Sequence, residues 1–302
     1  MSLPQNNFRQ PIEQGTTASR PRSGRGAAVL WIAAGAWLTA VLMTLPAPRS
    51  PVATAGEAIQ ALALVIVAAV SAWTAYRARG LVVFVAIAAV VSFLAEACSI
   101  ATGFPFGHYT HHTAGPAPLG VPIPVVAGWV VLAWLAWTVA RALTRGESGV
   151  IETRDRFTTP LVAAFVLGGY DFVLDPVAGT VRGLYSYASP SGQFGVPLTN
   201  FLGWLLTGWV ICQLFALVER RVLPAQSTTV RAGLLVPCLI WLLSAFVPYA
   251  SRPYAHDDIV IRGDRRFVTE DIYQASLASA LFTMVPLAGL ALLRLTRKPA
   301  AR

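Results

Sequence analysis

Long apolar runs broken by short polar clusters are the dominant pattern along this chain. Eight runs are long enough to cross a bilayer, at about 27–45, 58–76, 81–100, 119–140, 160–176, 196–218, 232–249 and 275–293. A crossing helix needs about 20 mostly apolar residues to span roughly 30 Å of hydrocarbon. The fifth window is the shortest of the set. The pattern predicts an all-α polytopic membrane protein with about eight transmembrane helices, its transmembrane domain covering 27–294. Residues 1–26 are polar and rich in Arg, Ser, Pro and Gln, without the apolar pattern that could fold them, which predicts a disordered cytoplasmic tail. Residues 295–302 are read as a second, short cytoplasmic tail. The first apolar window lies far from the start and is of span length, so it reads as a signal anchor rather than a cleaved peptide.

Composition and charge orient these helices. Of the 302 residues 55% are hydrophobic and 12% charged, the balance of a membrane protein. Lys and Arg near span ends are retained on the cytoplasmic side. With the N-terminus inside, the inner segments hold 17 of the 23 basic residues, among them Arg77, Arg141, Arg145, Arg220 and Arg294. The outer side keeps Arg49, Arg182 and four arginines in the loop 250–274, where five acids offset them. Both termini are therefore expected to be cytoplasmic, in the plasma membrane. The net charge of +9 is explained by this bias together with an anionic lipid bilayer, so nucleic-acid binding is unnecessary. Cys98, Cys212 and Cys238 all fall within the windows, and no disulfide framework or cysteine-based zinc site follows from them.

Two outer-side segments match at an offset of 75 residues (195 − 120): GVPIPVVAGW from Gly120 and GVPLTNFLGW from Gly195. The same offset carries Glu96 onto Asp171. Each unit reads as a rising helix with a carboxylate near its outer end, a Gly- and aromatic-rich loop, and a Gly-Val-Pro opening a descending helix. This predicts a two-helix internal repeat (spans 3–4 and 5–6), the copies related by a pseudo-two-fold along the membrane normal.

Acids inside spans are costly and mark function by default. Glu96, Asp171 and Asp175 fall near the outer ends of their helices, Asp171 and Asp175 four residues apart on one face. Asn200 enters at the top of the sixth span, with Tyr170 and Tyr109 at similar depth, and all three are expected beside the substrate. The alternative for such acids is contact with interfacial water or with a loop arginine such as Arg182.

The segment GFPFGHYTHH at 103–112 holds His108, His111 and His112. A di-iron site needs about eight histidines in several boxes, and this chain has four. A single metal held by three histidines and a carboxylate is the remaining metal reading; polar loop residues at the outer interface is the preferred one, and no metal is expected. The Asp171–Asp175 spacing also invites a magnesium–diphosphate reading, but there is neither a second Asp-rich stretch nor a basic cluster beside it.

Four blocks, EACSIATGFPFGHYTH (96–111), LGVPIP (119–124), YDFVLDP (170–176) and GQFGVPLTNFLGWLLTG (192–208), resemble the integral membrane carotenoid biosynthesis proteins that include carotenoid 1',2'-hydratases and bisanhydrobacterioruberin hydratases. The resemblance covers roughly the central 120 residues. It departs from the family pattern at His111, where an aromatic residue is expected, and at Tyr185 and Tyr187, where tryptophan is frequent. It implies addition of water across a terminal isoprenoid double bond without a redox cofactor, with a carotenoid and water as substrates and other carotenoid biosynthesis enzymes as partners. Such hydration needs an acid, a base and a pocket that tolerates a tertiary cation, and a carboxyl withdrawn from water can supply the proton. Asp171 is the expected donor and Glu96 the group that orients or deprotonates water, with the roles open to exchange; Asp175 and Asn200 hold the water or the donor. Phe104, Phe106, Tyr109, Tyr185 and Trp204 offer ring faces to the cation, although aromatic residues at this depth also suit an interfacial belt. A carotenoid cyclase or prenyl-transferring elongase on the same substrate class is the alternative, and a small transporter with Glu96 and Asp171 as a proton relay the third reading.

Overall fold

The computed structural model describes residues 23–46, 50–113, 115–146, 151–222, 231–254 and 257–296. The predicted tail at 1–26 lies outside these apart from its last four residues, which begin the first helix; of the segment 295–302, only the final two residues of the last helix are inside. The helices are α1 (Ser23–Thr44), α2 (Pro51–Thr102), α3 (Ile123–Thr144), α4 (Asp155–Asp175), α5 (Leu198–Val222), α6 (Ala232–Ser244), α7 (Val247–Ala250), α8 (Thr269–Phe282) and α9 (Met284–Thr296). Six helical stretches are long and apolar enough to cross a membrane, and α6 is a shorter apolar helix. All eight predicted windows are helical.

Helix α2 merges two windows, but it is not one rod. Arg77 has non-helical dihedrals (φ 58°, ψ −168°). On an unbroken helix Ser71 and Phe84 would stand about 20 Å apart. Here one side chain touches both: Trp134 donates from its indole nitrogen to Ser71 Oγ at 2.5 Å and meets the Phe84 ring edge-on at 5.0 Å. The chain therefore turns back at Arg77, and α2 supplies the predicted second and third spans as an antiparallel pair. The fifth span is longer than its window. Asp155–Thr159 extend it at one end and a π-turn, Pro176–Val181, at the other, giving 27 helical residues. The polar residues of that first turn hid the start. The seventh window breaks after Ser244, and the eighth bends at Thr283 between α8 and α9.

Small residues bring α4 and α5 together. The Leu205 and Leu167 side chains fill the places, within 2.6 and 2.8 Å, where Cβ atoms of Gly168 and Gly208 would sit. Close approach of this kind is how helices associate where lipid removes the hydrophobic drive.

The loops following α2 and α4 pair as short antiparallel strands, β1 (Tyr109–His111) and β2 (Tyr185–Tyr187). The register is reciprocal under the 75-residue offset: Thr110 faces Ser186 (111 + 75), and His111 faces Tyr185 (110 + 75). Trp129 stacks on Trp204 (129 + 75) with centroids 4.2 Å apart. The loop 250–274 contributes a second hairpin, β3 (Ile259–Arg262) with β4 (Arg265–Val268), before α8 begins.

Candidate active site

The local chain geometry at the β1–β2 end of the bundle brings three acids to one place. Helix α2 stops at Gly103, whose left-handed backbone (φ 82°) lets its N–H cap Ser99 O at 2.8 Å, the usual use of glycine at a helix end. Ser99 Oγ then accepts from Phe106 N at 3.0 Å and donates to Gly107 O at 2.7 Å, so the loop folds back onto α2. The Phe106 ring turns inward over Gly203, where any side chain would collide with it. At the end of α4, Pro176 has no N–H for the next helical bond. The following turn widens, closing with Arg182 N to Val177 O at 2.8 Å, and leaves Asp175 facing inward. Pro122 and Pro197 precede α3 and α5, whose first two turns carry Trp129, Asn200 and Trp204 inward.

These residues enclose a cavity of about 180 Å³. Glu96 lies on one wall. It accepts from the Tyr109 hydroxyl, from Trp129 Nε1 at 2.7 Å, and stands 3.2 Å from His111 Nε2. On the other wall Asn200 Nδ2 donates to Asp175 Oδ2 at 2.6 Å and to Asp171 Oδ2 at 3.1 Å. The Tyr187 hydroxyl reaches Asp175 Oδ2, and that of Tyr185 the Asp175 carbonyl, both at 3.4 Å. The three acids and Asn200 are at most 5% exposed. No Lys or Arg is among the described residues lining the cavity. Burial, reinforced by Glu96 at Tyr109 and by Asp175 at Tyr185 and Tyr187, pushes all three loop phenols above their ordinary range, so they act as neutral donors.

Glu96, Asp175, Asn200, Phe106, Tyr109, Tyr185 and Trp204 all line this one cavity. Asp171 stands behind Asn200 rather than on the wall. Phe104 and Tyr170, expected beside the substrate, lie elsewhere: Phe104 is 63% exposed, and Tyr170 packs against Trp241 with ring centroids 5.3 Å apart. The histidines diverge. His111 turns to Glu96, His112 to Ser186 Oγ at 2.9 Å, and His108 packs beside Gly103. Among the lining residues outside the expected set, Trp129, Tyr187 and His111 reach the acids. Trp129 carried a signal, since it closes the first copy of the repeated segment as Trp204 closes the second.

A larger cavity of about 370 Å³ lies next to this one, sharing Leu184 as a wall. Its mouth carries the Glu57–Arg182 ion pair at 2.5 Å, with both side chains about half exposed. Size alone favours it as a site, but its acids are solvated, and the buried acids that face a cavity without an arginine partner, Glu96 and Asp175, line the smaller one.

Part of the chain is similar to bisanhydrobacterioruberin hydratase of Haloarcula japonica, with 32% identity over 122 residues, 40% of this chain and 39% of that protein. The chain thus spans about two-fifths of the length of that relative. No solved structure matches the chain. Residues 56–255, which contain all three acids and Asn200, match the carotenoid biosynthesis protein family, and the chain belongs to that family.

Proposed function

We propose that the protein is a plasma-membrane carotenoid hydratase that adds water across a terminal isoprenoid double bond with its own side chains as acid and base. One observation carries this reading: two separate carboxyl groups, neither paired with a lysine or arginine, face one small aromatic cavity. The hydratase activity in the name of the relative agrees with it.

In the proposed reaction the Asp171–Asp175 pair holds one proton between its carboxyls, because two negative charges sharing one amide in dry surroundings repel each other. Asp175, which fronts the cavity, gives that proton to the less substituted alkene carbon. The π pair becomes the new C–H bond and leaves a tertiary cation on the other carbon. The ring faces of Phe106, Tyr185 and Trp204 stabilise the cation, each by about 0.5–2 kcal/mol. Water adds its oxygen to that carbon and gives up a proton to Glu96, which its three partners orient as an acceptor. The proton returns to the aspartate pair through cavity water, so substrate plus water yields the tertiary alcohol with nothing left over. The two acids derive from the two copies of the repeat, which supports a pseudo-two-fold through the β1–β2 ladder, with each half supplying one partner of the acid–base couple.

Expression in cells that make acyclic carotenoids tests this. Pigments gain the mass of one water per modified end, and Asp175→Asn or Glu96→Gln each lowers hydration by about 10²–10⁴-fold. His112→Ala, at an exposed position just after β1, retains activity. Full activity in both carboxylate variants overturns the mechanism. A product heavier by a prenyl unit identifies an elongase instead, and a new ring at unchanged mass a cyclase.

A further inference from the structure

The cavity of about 180 Å³ is smaller than the roughly 300–1,000 Å³ that encloses an ordinary drug-sized ligand. A carotenoid is longer than such a ligand. Under the hydratase reading, on which this inference rests, the cavity takes one end group, and the polyene has to leave through a wall.

The wall formed by α3 offers the passage. Val125, Gly128 and Leu132 line the cavity at spacings of three and four, one face of the helix. Gly128 differs from its neighbours. A Cβ built there meets nothing within 4 Å, although the next residue, Trp129, is buried and stacked on Trp204. A turn or less away, Pro124 and Ala127 are exposed on the outside of α3. Gly128 thus stands where the cavity face of the helix meets its lipid face, with no neighbouring side chain over it. Glycine weakens a helix interior relative to alanine, and room beside the cavity is what it supplies in return. The other end of the cavity is polar, formed by His111 and the exposed Thr113 in the loop above the strands.

We propose that Gly128 keeps open a lateral mouth through which the polyene chain of the substrate runs from the acid–base cavity into the bilayer, while water enters past Thr113 and His111. The end group is then held at the acids while the chain stays in hydrocarbon, and the two reactants approach from opposite ends. Gly128 accordingly selects for substrate length, not for end-group chemistry.

The test compares two substrates in the full-length protein: an acyclic carotenoid, and a short isoprenoid alkene with the same terminal double bond that fits wholly within the cavity. Gly128→Phe is expected to lower carotenoid hydration at least tenfold more than hydration of the short alkene. Equal losses on both, or none on either, overturn the portal. A second measurement needs no turnover. In a Cys98→Ser background, Gly128→Cys reacts with a lipid-soluble maleimide, and acyclic carotenoid slows that labelling at least severalfold. Unchanged labelling overturns the proposal. If the wild-type protein hydrates neither substrate, the hydratase reading fails, and protection of the cysteine by the polyene still decides the portal separately.

Discussion

The helix bundle carries buried acids at both of its ends, and the two ends treat them differently. At the end away from the strands, Glu219 of α5 meets Arg145 at 2.7 Å, Asp155 of α4 lies 3.6 Å from the same arginine, and the Tyr76 hydroxyl donates to Glu219. The Arg141 guanidinium sits over the Tyr76 ring at 5.1 Å, and that of Arg145 over Trp137 at 5.6 Å. Each acid there has a cation. At the strand end Glu96, Asp171 and Asp175 are as deeply buried, yet their hydrogen-bond partners are phenols, an indole, an amide and an imidazole. A buried acid matched to an arginine is tied to the fold, because removing either partner strands a charge. A buried acid without an arginine partner beside a cavity keeps its proton chemistry available. Under the proposed reaction, the charge of the partner, and not burial, separates the acids tied to the fold from the acids that react.

The largest effect should come from breaking the compensated end. Glu219→Ala takes from the buried Arg145 its 2.7 Å carboxylate partner, and should cost about 3–5 kcal/mol of stability, measured by unfolding in detergent or bicelles. Hydration per folded molecule should hardly change. Glu96→Gln should do the reverse: an amide still accepts from Tyr109 and Trp129, so stability stays within about 1 kcal/mol while activity is lost. If Glu96→Gln unfolds the protein as readily as Glu219→Ala, the contrast between the two ends collapses.

A subtler variant sharpens the contrast within the strand end. Trp129→Phe keeps an aromatic ring against Trp204 but removes the N–H that reaches Glu96 at 2.7 Å. Without that donor the Glu96 carboxyl is no longer held toward the cavity, and misplacing a reacting group by about 1 Å can cost about 10²-fold in rate, so hydration should fall roughly 10- to 100-fold, by more than unfolding shifts. A loss of stability without a loss of rate would make Trp129 a packing residue only.

Much of this arrangement was legible in the sequence, and the reason is local. The spans follow from runs of apolar residues, each a property of one segment. Glu96, Asp175 and Asn200 stood out because polar groups are rare in such runs, and the repeated Gly-Val-Pro segments pointed to Trp204. What could not be read depends on contacts between segments. The reversal at Arg77 is marked by a short polar turn, yet nothing local says that Trp134 bridges its two arms. Asp171 and Asp175 share a helix face, but only the placement of Asn200 shows that Asp175 fronts the cavity. Phe104 and Phe106 are two residues apart in one loop, and the Ser99 hydrogen bonds turn one of them in and leave the other out. Glu219 and Asp155 lie next to basic residues in the sequence and read there as ordinary helix-end charges; their burial follows from the meeting of α3, α4 and α5.

Glu57 provides the smallest effect and a control for the rule. It lies in the first half of α2, within an apolar helix, as Glu96 lies in the second half. By sequence Glu57 stands one residue before the second predicted window, and Glu96 lies within the third. Glu57 is about half exposed, however, and pairs with the equally exposed Arg182 at 2.5 Å. Water already solvates both groups, so the pair contributes about 0–1 kcal/mol after screening. Glu57→Gln should therefore shift unfolding by less than about 1 kcal/mol and leave hydration unchanged, measured on the same preparations as Glu96→Gln. A loss of hydration comparable to that of Glu96→Gln would mean that the larger cavity, whose mouth Glu57 helps to form, takes part in the chemistry, and that partner charge alone does not mark the reacting acids.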